Sequence, residues 1–214
     1  MSRRQKRGCI LMLLGLTLIL CAVGIHLAEQ QQDNRAGESA HILLQQLEMS
    51  RAEVVLPESG EGIPTDGDLS MLEDGMDTRP AITKMPEKSF YGYAMIGTIR
   101  VASVGIRLPV LSQWSYSLLD VAPCRYSGSV PGGDMIVMGH NYKSHFSPLH
   151  YVKEDAEVEF ENVNGILSRY RVAEIVVVHK SEKDALESDY PLTLFTCMPN
   201  GRDRLLIRCA EVTE

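Results

Sequence analysis

The sequence predicts a mainly β domain that follows a membrane-spanning helix and a flexible acidic segment. Three observations lead to this prediction. The first is an apolar run of about twenty residues near the N-terminus, which is long enough to cross a bilayer. The second is a stretch rich in proline, glycine and acidic residues, and the third is a series of short apolar or alternating runs in the remainder. The 214 residues therefore divide into a basic tail at 1–8, an anchor at 9–28, a juxtamembrane helix with a spacer at 29–89 and a β domain at 90–214.

The predicted anchor is flanked by charges of opposite sign. Arginine and lysine precede it within residues 3–7, whereas Glu29 and Asp33 follow it. Because cationic flanks stay in the cytoplasm, we expect a single-pass protein of the cell membrane with its N-terminus inside the cell and its β domain outside. A cleaved signal peptide is the alternative, but its apolar core is normally only about 7–15 residues long. Lipidation at Cys21 is disfavoured, because the bulky Leu20 stands where a small residue is needed.

Two different segments follow the anchor. Residues 29–51 include Ile42, Leu43, Leu44 and Leu47 at helical spacing, which predicts a juxtamembrane helix or a short stalk. Residues 53–88 hold four prolines, several glycines and scattered acids. Such a composition buries too little apolar surface to offset chain entropy, so it predicts a flexible spacer. A spacer of this kind would hold the β domain away from the membrane surface.

The β domain contains a series of runs with the pattern of strands. Some alternate apolar and polar residues, and others are short and continuously apolar. The predicted strands are Met95–Val101, Ile106–Leu111, Met135–Met138, Glu157–Glu161, Leu167–His179, Leu192–Thr196 and Leu205–Val212. Turn residues separate them, most clearly at Ser103–Gly105, at 131–134 and at Asn164-Gly165. With only two short helices predicted, over Ser115–Val121 and Lys183–Ser188, this spacing favours a closed or nearly closed barrel.

Charge and cysteine content narrow the function. The formal net charge is −7 and no run of Lys and Arg lies outside the extreme N-terminus, which argues against nucleic-acid binding. Cys9 and Cys21 lie in the apolar run, so the β domain has Cys124, Cys197 and Cys209, without a C-x-x-C pair. An odd cysteine in an exported domain indicates a free thiol with a function. Whether Cys124 and Cys209 form a disulfide depends on a distance that the sequence leaves open.

Three patterns beside predicted strands supply the groups that acyl transfer needs. His140 follows an apolar strand, Cys197 ends another, and Arg204 begins the last one. A cysteine at a strand end is held by the sheet and open to solvent, and an imidazole can exchange its proton. A guanidinium offers a fixed set of donors to a developing oxyanion. Nucleophile, acid/base and oxyanion stabiliser are therefore all present.

The ordered set resembles the sortase family. It comprises Gly139-His140, then Thr196-Cys197 at the end of an apolar strand, then Arg204 opening the next strand, and the likeness covers about residues 94–213. The resemblance implies a closed sortase-type β-barrel of about eight strands. It also implies that Cys197 attacks the Thr–Gly carbonyl of an LPxTG-like sorting signal and forms a thioacyl-enzyme. An amine from a peptidoglycan precursor or a pilin lysine would then resolve it.

Roles for individual residues follow from the same resemblance. His140 would be the general acid/base, and Arg204 would stabilise the oxyanion. Thr196 and Met198 would bind substrate, Met198 through its backbone amide, and no cofactor or metal is expected. Arg208 shares a strand face with Arg204 and is the alternative arginine. The sequence lacks an Asp-Pro-aromatic lid motif, the second membrane span of many pilin-building members and the long late insertion of another class, so the subclass stays open.

These residues also allow other interpretations. His140, His145 and His150 do not have a standard zinc spacing. The acidic row in Glu157–Glu161 fits a solvated strand face as well as a calcium site, and Trp114 fits packing better than substrate contact. A papain-type protease is disfavoured because its nucleophile normally opens a helix. The main alternative function is a non-catalytic, membrane-tethered β-barrel that binds partners at the cell surface.

Overall fold

The computed structural model describes residues 3–54 and 85–212, so most of the predicted spacer lies outside the described residues. A single long helix, α1, spans Arg3–Val54. The strands that follow are β1 (Lys88–Phe90), β2 (Tyr93–Val101), β3 (Ile106–Leu111), β4 (Cys124–Ser127), β5 (Met135–Met138), β6 (Glu157–Asn162), β7 (Leu167–His179), β8 (Leu192–Cys197) and β9 (Asp203–Glu211). A short helix α2 (Tyr116–Leu119) and 3-10 turns at Ala102–Val104, Ser147–Tyr151 and Lys183–Leu186 connect them.

The strands close into a barrel. In the described residues the hydrogen-bonded order is β1-β2-β3-β4-β5-β8-β9-β7-β6, and β6 pairs back to β2. The closed part thus runs from β2 to β9, and β1 is an addition to β2. Most neighbours are antiparallel, but β3–β4 and β5–β8 are parallel. The predicted barrel of about eight strands with few helices is confirmed.

Two apolar clusters lie on opposite faces of the barrel wall. Alternate strand residues point inward, and the main core collects those side chains, including Val137, Leu194 and Ile207. A smaller cluster of Leu186, Phe195 and Leu206 covers the outward face of β8 and β9. The segment Lys183–Leu186 between β7 and β8 contributes Leu186 to this cluster. The outward face of β8 and β9 is therefore partly covered, and its uncovered end is where the site lies.

The long helix α1 has two different halves. Its first half exposes large apolar side chains, such as Met12 and Leu20, and is long and apolar enough to span a membrane. Its second half buries Ala36, Ala40 and Leu47 against the barrel. The helix predicted after the anchor is thus present, but it continues the anchor helix without a break and packs on the β domain.

The sequence reading missed two short strands. One is β1, and the other is β4, which has Cys124 as its only buried residue. The predicted helix at Lys183–Ser188 is instead a 3-10 turn over Lys183–Leu186. β4 was not predicted because a short strand with one inward side chain shows no detectable alternation of apolar and polar residues.

Candidate active site

The strand topology brings His140, Cys197 and Arg204 to one edge of the barrel. In the parallel pair β5–β8, Met138 lies opposite Phe195, and the Gly139 N–H donates to the Phe195 carbonyl at 3.1 Å. His140 and Cys197 follow at the same ends of these two strands. On the other side of β8, Cys197 lies directly opposite Arg204 of β9. Three adjacent strands therefore carry the three residues.

Cys197 is exposed, whereas its neighbour Thr196 is buried. Cys197 shares the outward face of β8 with Phe195, so its sulfur lies on the side open to a ligand. The side chain of Thr196 lies on the inward face, 1% exposed, and its hydroxyl has no hydrogen-bond partner among the described residues. Any contact of Thr196 with a substrate is consequently left to its backbone groups.

The amide of Met198 is already engaged. Its N–H donates to the Asp203 carbonyl at 2.8 Å and closes the turn between β8 and β9. The Met198 side chain is partly buried and packs against the main core. This amide would reach an oxyanion only by giving up its present hydrogen bond.

The guanidinium donors of Arg204 have no partner among the described residues. Its guanidinium lies over the Phe195 ring, 5.7 Å from the ring centroid. In the part of the chain that the structure describes, no hydrogen bond or ion pair to this guanidinium is found. A cation stacked on an aromatic face is held in place while its N–H groups stay available to a ligand.

Arg208 lies on the same face of β9, but two of its guanidinium nitrogens have protein partners. Its Nη1 pairs with Glu174 Oε2 of β7 at 2.7 Å, and its Nη2 donates to the Ala185 carbonyl at 2.9 Å. It lies opposite Thr193, near the start of β8, whereas Cys197 ends that strand. Arg208 therefore ties the connection between β7 and β8 to the barrel wall.

His140 contacts a carboxylate that the sequence analysis did not single out. Its Nε2 is 3.4 Å from Asp120 Oδ1, and Asp120 is the C-cap residue of α2. The Tyr142 hydroxyl donates to the same oxygen at 3.0 Å, and the Tyr142 ring lies 4.7 Å from the imidazole. Burial lowers the pKa of His140, and the Asp120 charge acts against this shift. No sequence pattern links Asp120 to His140, because their contact depends on where the loop after β5 folds back.

The remaining metal and disulfide candidates have ordinary structural surroundings. Among the described residues, no group of three or more His, Cys, Asp or Glu side chains is arranged to hold a metal ion. Glu159 and Glu161 form ion pairs of 2.8 Å with Arg100 and Arg51, respectively. The two buried cysteines, Cys124 and Cys209, are free thiols, and burial raises the pKa of each to about 12. The sequence had left their pairing open.

Comparison with known proteins agrees with the fold. The family model of the sortase domain matches residues 99–212, more than half of the chain. A search of curated proteins gives no match. Sortase C from Clostridium perfringens SM101 is a similar solved structure, with 25% identity and a TM-score of 0.50 over 56% of this chain and 71% of that one.

Two further solved structures are similar in fold. A lid mutant of sortase A from Corynebacterium diphtheriae has 23% identity and a TM-score of 0.51. Sortase C from Streptococcus pneumoniae has 20% identity and the same TM-score. Each match covers 56% of this chain and 70% of the other one. On the strength of the family-model match, the chain belongs to the sortase family of cysteine transpeptidases.

Proposed function

We propose that this protein is a membrane-anchored sortase that cleaves an LPxTG-like sorting signal and transfers the cleaved protein to an amine. The observation that carries the proposal is the edge formed by β5, β8 and β9. There the exposed Cys197 lies opposite Arg204, and His140 leaves the adjacent parallel strand at the same end. These residues match the nucleophile, acid/base and oxyanion donor of acyl transfer.

In the first half-reaction the Cys197 thiolate attacks the carbonyl carbon between Thr and Gly of the signal. A carbon–sulfur bond forms, and the carbonyl oxygen becomes an oxyanion that accepts hydrogen bonds from Arg204. The carbon–nitrogen bond then breaks, and protonated His140 gives its proton to the leaving glycine amine. The product is a thioester between Cys197 and the threonine carbonyl.

In the second half-reaction an amine attacks this thioester. The amine belongs to a peptidoglycan precursor or to a lysine of a pilin subunit. Neutral His140 takes a proton from the attacking amine, the new amide bond forms, and the Cys197 thiolate leaves. The enzyme returns to its starting protonation state, and no cofactor or metal is required by this chemistry.

Asp120 helps His140 to serve as an acid. Burial lowers the pKa of His140, which disfavours the imidazolium needed to protonate the leaving amine. The carboxylate of Asp120, 3.4 Å from Nε2, favours that imidazolium and engages this nitrogen. The other ring nitrogen, Nδ1, is then the one that exchanges protons with the reacting atoms.

The first half of α1 supports a membrane anchor. It contains an exposed apolar stretch, and the cationic residues at 3–7 precede that stretch in the sequence. We infer that the N-terminus lies in the cytoplasm and the barrel outside the cell, in line with the positive-inside rule. Proteins with an LPxTG-like signal and an amine acceptor at the cell surface are then the partners.

The decisive test uses the full chain in lipid nanodiscs. The protein is incubated with a panel of peptides of LPxTG type that vary at the first and last positions of the motif. Mass spectrometry should detect a thioester on Cys197, and added triglycine or a lysine peptide should convert it to a new amide. Cys197→Ala is the control and should give neither product.

The same experiment addresses the alternative of a non-catalytic binding barrel. That alternative predicts a folded protein that binds some peptides without forming an adduct or a product. Wild-type protein that gives no adduct with any peptide of the panel, while its barrel is folded by circular dichroism, would contradict the proposed activity.

A further inference from the structure

The second half of α1 is docked on the barrel beside the loop that carries His140. We define the docking segment as residues 33–51 of α1 and the histidine loop as residues 139–146. Along the docking segment Ala36, Ala40, Leu43 and Leu47 are each at most 2% exposed. Their spacing of three or four residues makes one continuous helix face. This face is therefore buried as part of the folded domain.

The first turn of the docking segment is hydrogen-bonded to the histidine loop at Ser144. Asp33 Oδ1 accepts hydrogen bonds from the Ser144 N–H at 2.9 Å and from the Ser144 hydroxyl at 2.5 Å. The hydroxyl also lies 2.9 Å from the Asp33 carbonyl. One turn later, a Cβ at Gly37 would come within 2.9 Å of Ser144 Cβ, so glycine permits the close approach.

Contacts inside the histidine loop connect Ser144 to His140. The Phe146 N–H donates to the His140 carbonyl at 3.1 Å, and the His145 N–H donates to the Tyr142 carbonyl at 3.0 Å. The Tyr142 ring lies between the rings of His140 and His145, 4.7 and 5.5 Å from them. Because these contacts restrict the conformation of the loop, a shift of Ser144 should also shift the His140 imidazole.

His145 adds a second contact between the loop and the docking segment. It is 1% exposed, and burial lowers its pKa to about 4. The largest effect that opposes this lowering comes from the backbone of Ala36. Neither ring nitrogen makes a well-formed hydrogen bond within the described residues. The neutral His145 ring therefore packs against α1 and helps to hold the histidine loop in place. It has no role in proton transfer.

We propose that Asp33 is a positioning residue for His140, and that α1 thereby couples the membrane anchor to the active site. The inference rests on the proposed role of His140. Asp33 follows the predicted end of the anchor by roughly 7–8 Å of helix, at about 1.5 Å per residue. The histidine loop is thus held close to the membrane by a continuous helix.

The described residues on either side of the undescribed part of the predicted spacer support this inference. Arg51, near the end of α1, forms an ion pair with Glu161 and donates to the Asn162 carbonyl. Met85 is the first described residue after that part of the spacer. It is buried and lines a cavity together with Asn162. Both neighbours of the undescribed stretch therefore lie at the same part of the barrel. The link between the anchor and the barrel is α1 itself.

The test compares full-length variants in lipid nanodiscs. Asp33→Ala removes the acceptor for Ser144 and should lower kcat by about 10-fold to 100-fold with little change in KM, because small displacements of a catalytic group have effects of this size. Asp33→Asn keeps one acceptor oxygen and should restore most of the rate. The double variant of Asp33→Ala with Ser144→Ala should lose no more than the larger single loss.

A matched control lies on the same helix. Glu48→Gln breaks the ion pair of Glu48 with Arg107 of β3, at 2.6 Å, which is remote from the histidine loop. It should leave kcat unchanged. Equal losses of kcat in Asp33→Ala and Glu48→Gln, or losses that follow the melting temperature alone, would show that the docking segment merely stabilises the fold.

A spectroscopic readout separates this inference from the proposed reaction. The NMR titration of the His140 ring, assigned with His140→Gln, reports the surroundings set by Asp120 of α2, Asp33 of α1, Tyr142 and His145 of the loop, and Cys197 and Arg204 of the neighbouring strands. Asp33→Ala should change the His140 chemical shift and titration, and Glu48→Gln should not. An unchanged His140 signal in Asp33→Ala overturns the inference. A His140 signal that changes in Asp33→Ala, while the wild-type protein forms no thioester, would retain the inference and reject the proposed activity.

Discussion

Arg204 and Arg208 lie on the same face of β9, yet their contacts differ completely. Arg204 is stacked on Phe195 and has no polar partner in the described residues, whereas Arg208 is 17% exposed and binds Glu174 and the Ala185 carbonyl. The difference follows from position along the ladder. The Arg208 end of the face is covered by the connection between β7 and β8, and the Arg204 end is open.

The β8 residues opposite these arginines differ in the same way. Cys197, opposite Arg204, is exposed, and Thr193, opposite Arg208, is 1% exposed. One rung of the ladder therefore presents a thiol and a guanidinium to solvent, and the other is part of the wall. The two arginines have the same side chain and lie on the same face of β9. They differ in function because the connection between β7 and β8 covers only the Arg208 end of that face.

The largest effect is expected from Arg204. Arg204→Ala removes the proposed oxyanion donor and should lower kcat by about 10²–10³-fold, the loss typical of a missing oxyanion-hole donor. Arg204→Lys keeps the charge without the planar fork and should recover only part of the rate. Steady-state cleavage of an LPxTG-type peptide measures both. A larger loss of kcat in Arg208→Ala than in Arg204→Ala would reverse the assignment.

A smaller effect is expected from Asp120, which contacts His140 beside the open rung. Asp120→Asn removes the charge that favours protonated His140, so burial alone acts and the pKa of His140 falls further. A group that must be protonated then loses its proton at lower pH, and the decline of kcat/KM with rising pH should begin earlier. At neutral pH we expect a loss of about threefold to fivefold, as for a partly exposed ion pair. A profile identical to wild type would remove Asp120 from the mechanism.

Much of the fold was predictable because the strands bury alternate residues. The runs from Met95 to Val101 and from Leu192 to Thr196 were correctly read, and turn residues marked where they end. The closed barrel followed from many short strands. β4 was not predictable, since only Cys124 among its residues is buried.

The site was predictable to the extent that it lies at strand ends. The order of His140, Cys197 and Arg204 along the chain carried that information, and the register places them together. Asp120 and Asp33 were not predictable, because each reaches the histidine loop from a separate helix. Contacts of this kind depend on the path of the chain, which local patterns do not encode.

The closed rung should respond in stability more than in rate. Arg208→Ala leaves Glu174 without its ion-pair partner and the Ala185 carbonyl without its donor. We expect the free energy of unfolding to fall by about 1–2 kcal/mol, measured by urea denaturation, because a partly buried charged hydrogen bond is lost. Arg208→Met keeps most of the packing and should lose less. In both variants kcat should stay close to that of wild type.

The smallest effect is expected from Thr193. Its hydroxyl is buried without a partner in the described part of the chain, so Thr193→Val removes an unpaired polar group at little cost in shape. The free energy of unfolding should stay the same or rise by up to about 1 kcal/mol. Thr196→Val makes the same change on the inward face, where the hydroxyl is equally buried. Its KM should also equal that of wild type, and a raised KM for Thr196→Val alone would show that this hydroxyl reaches the substrate from beneath the open rung.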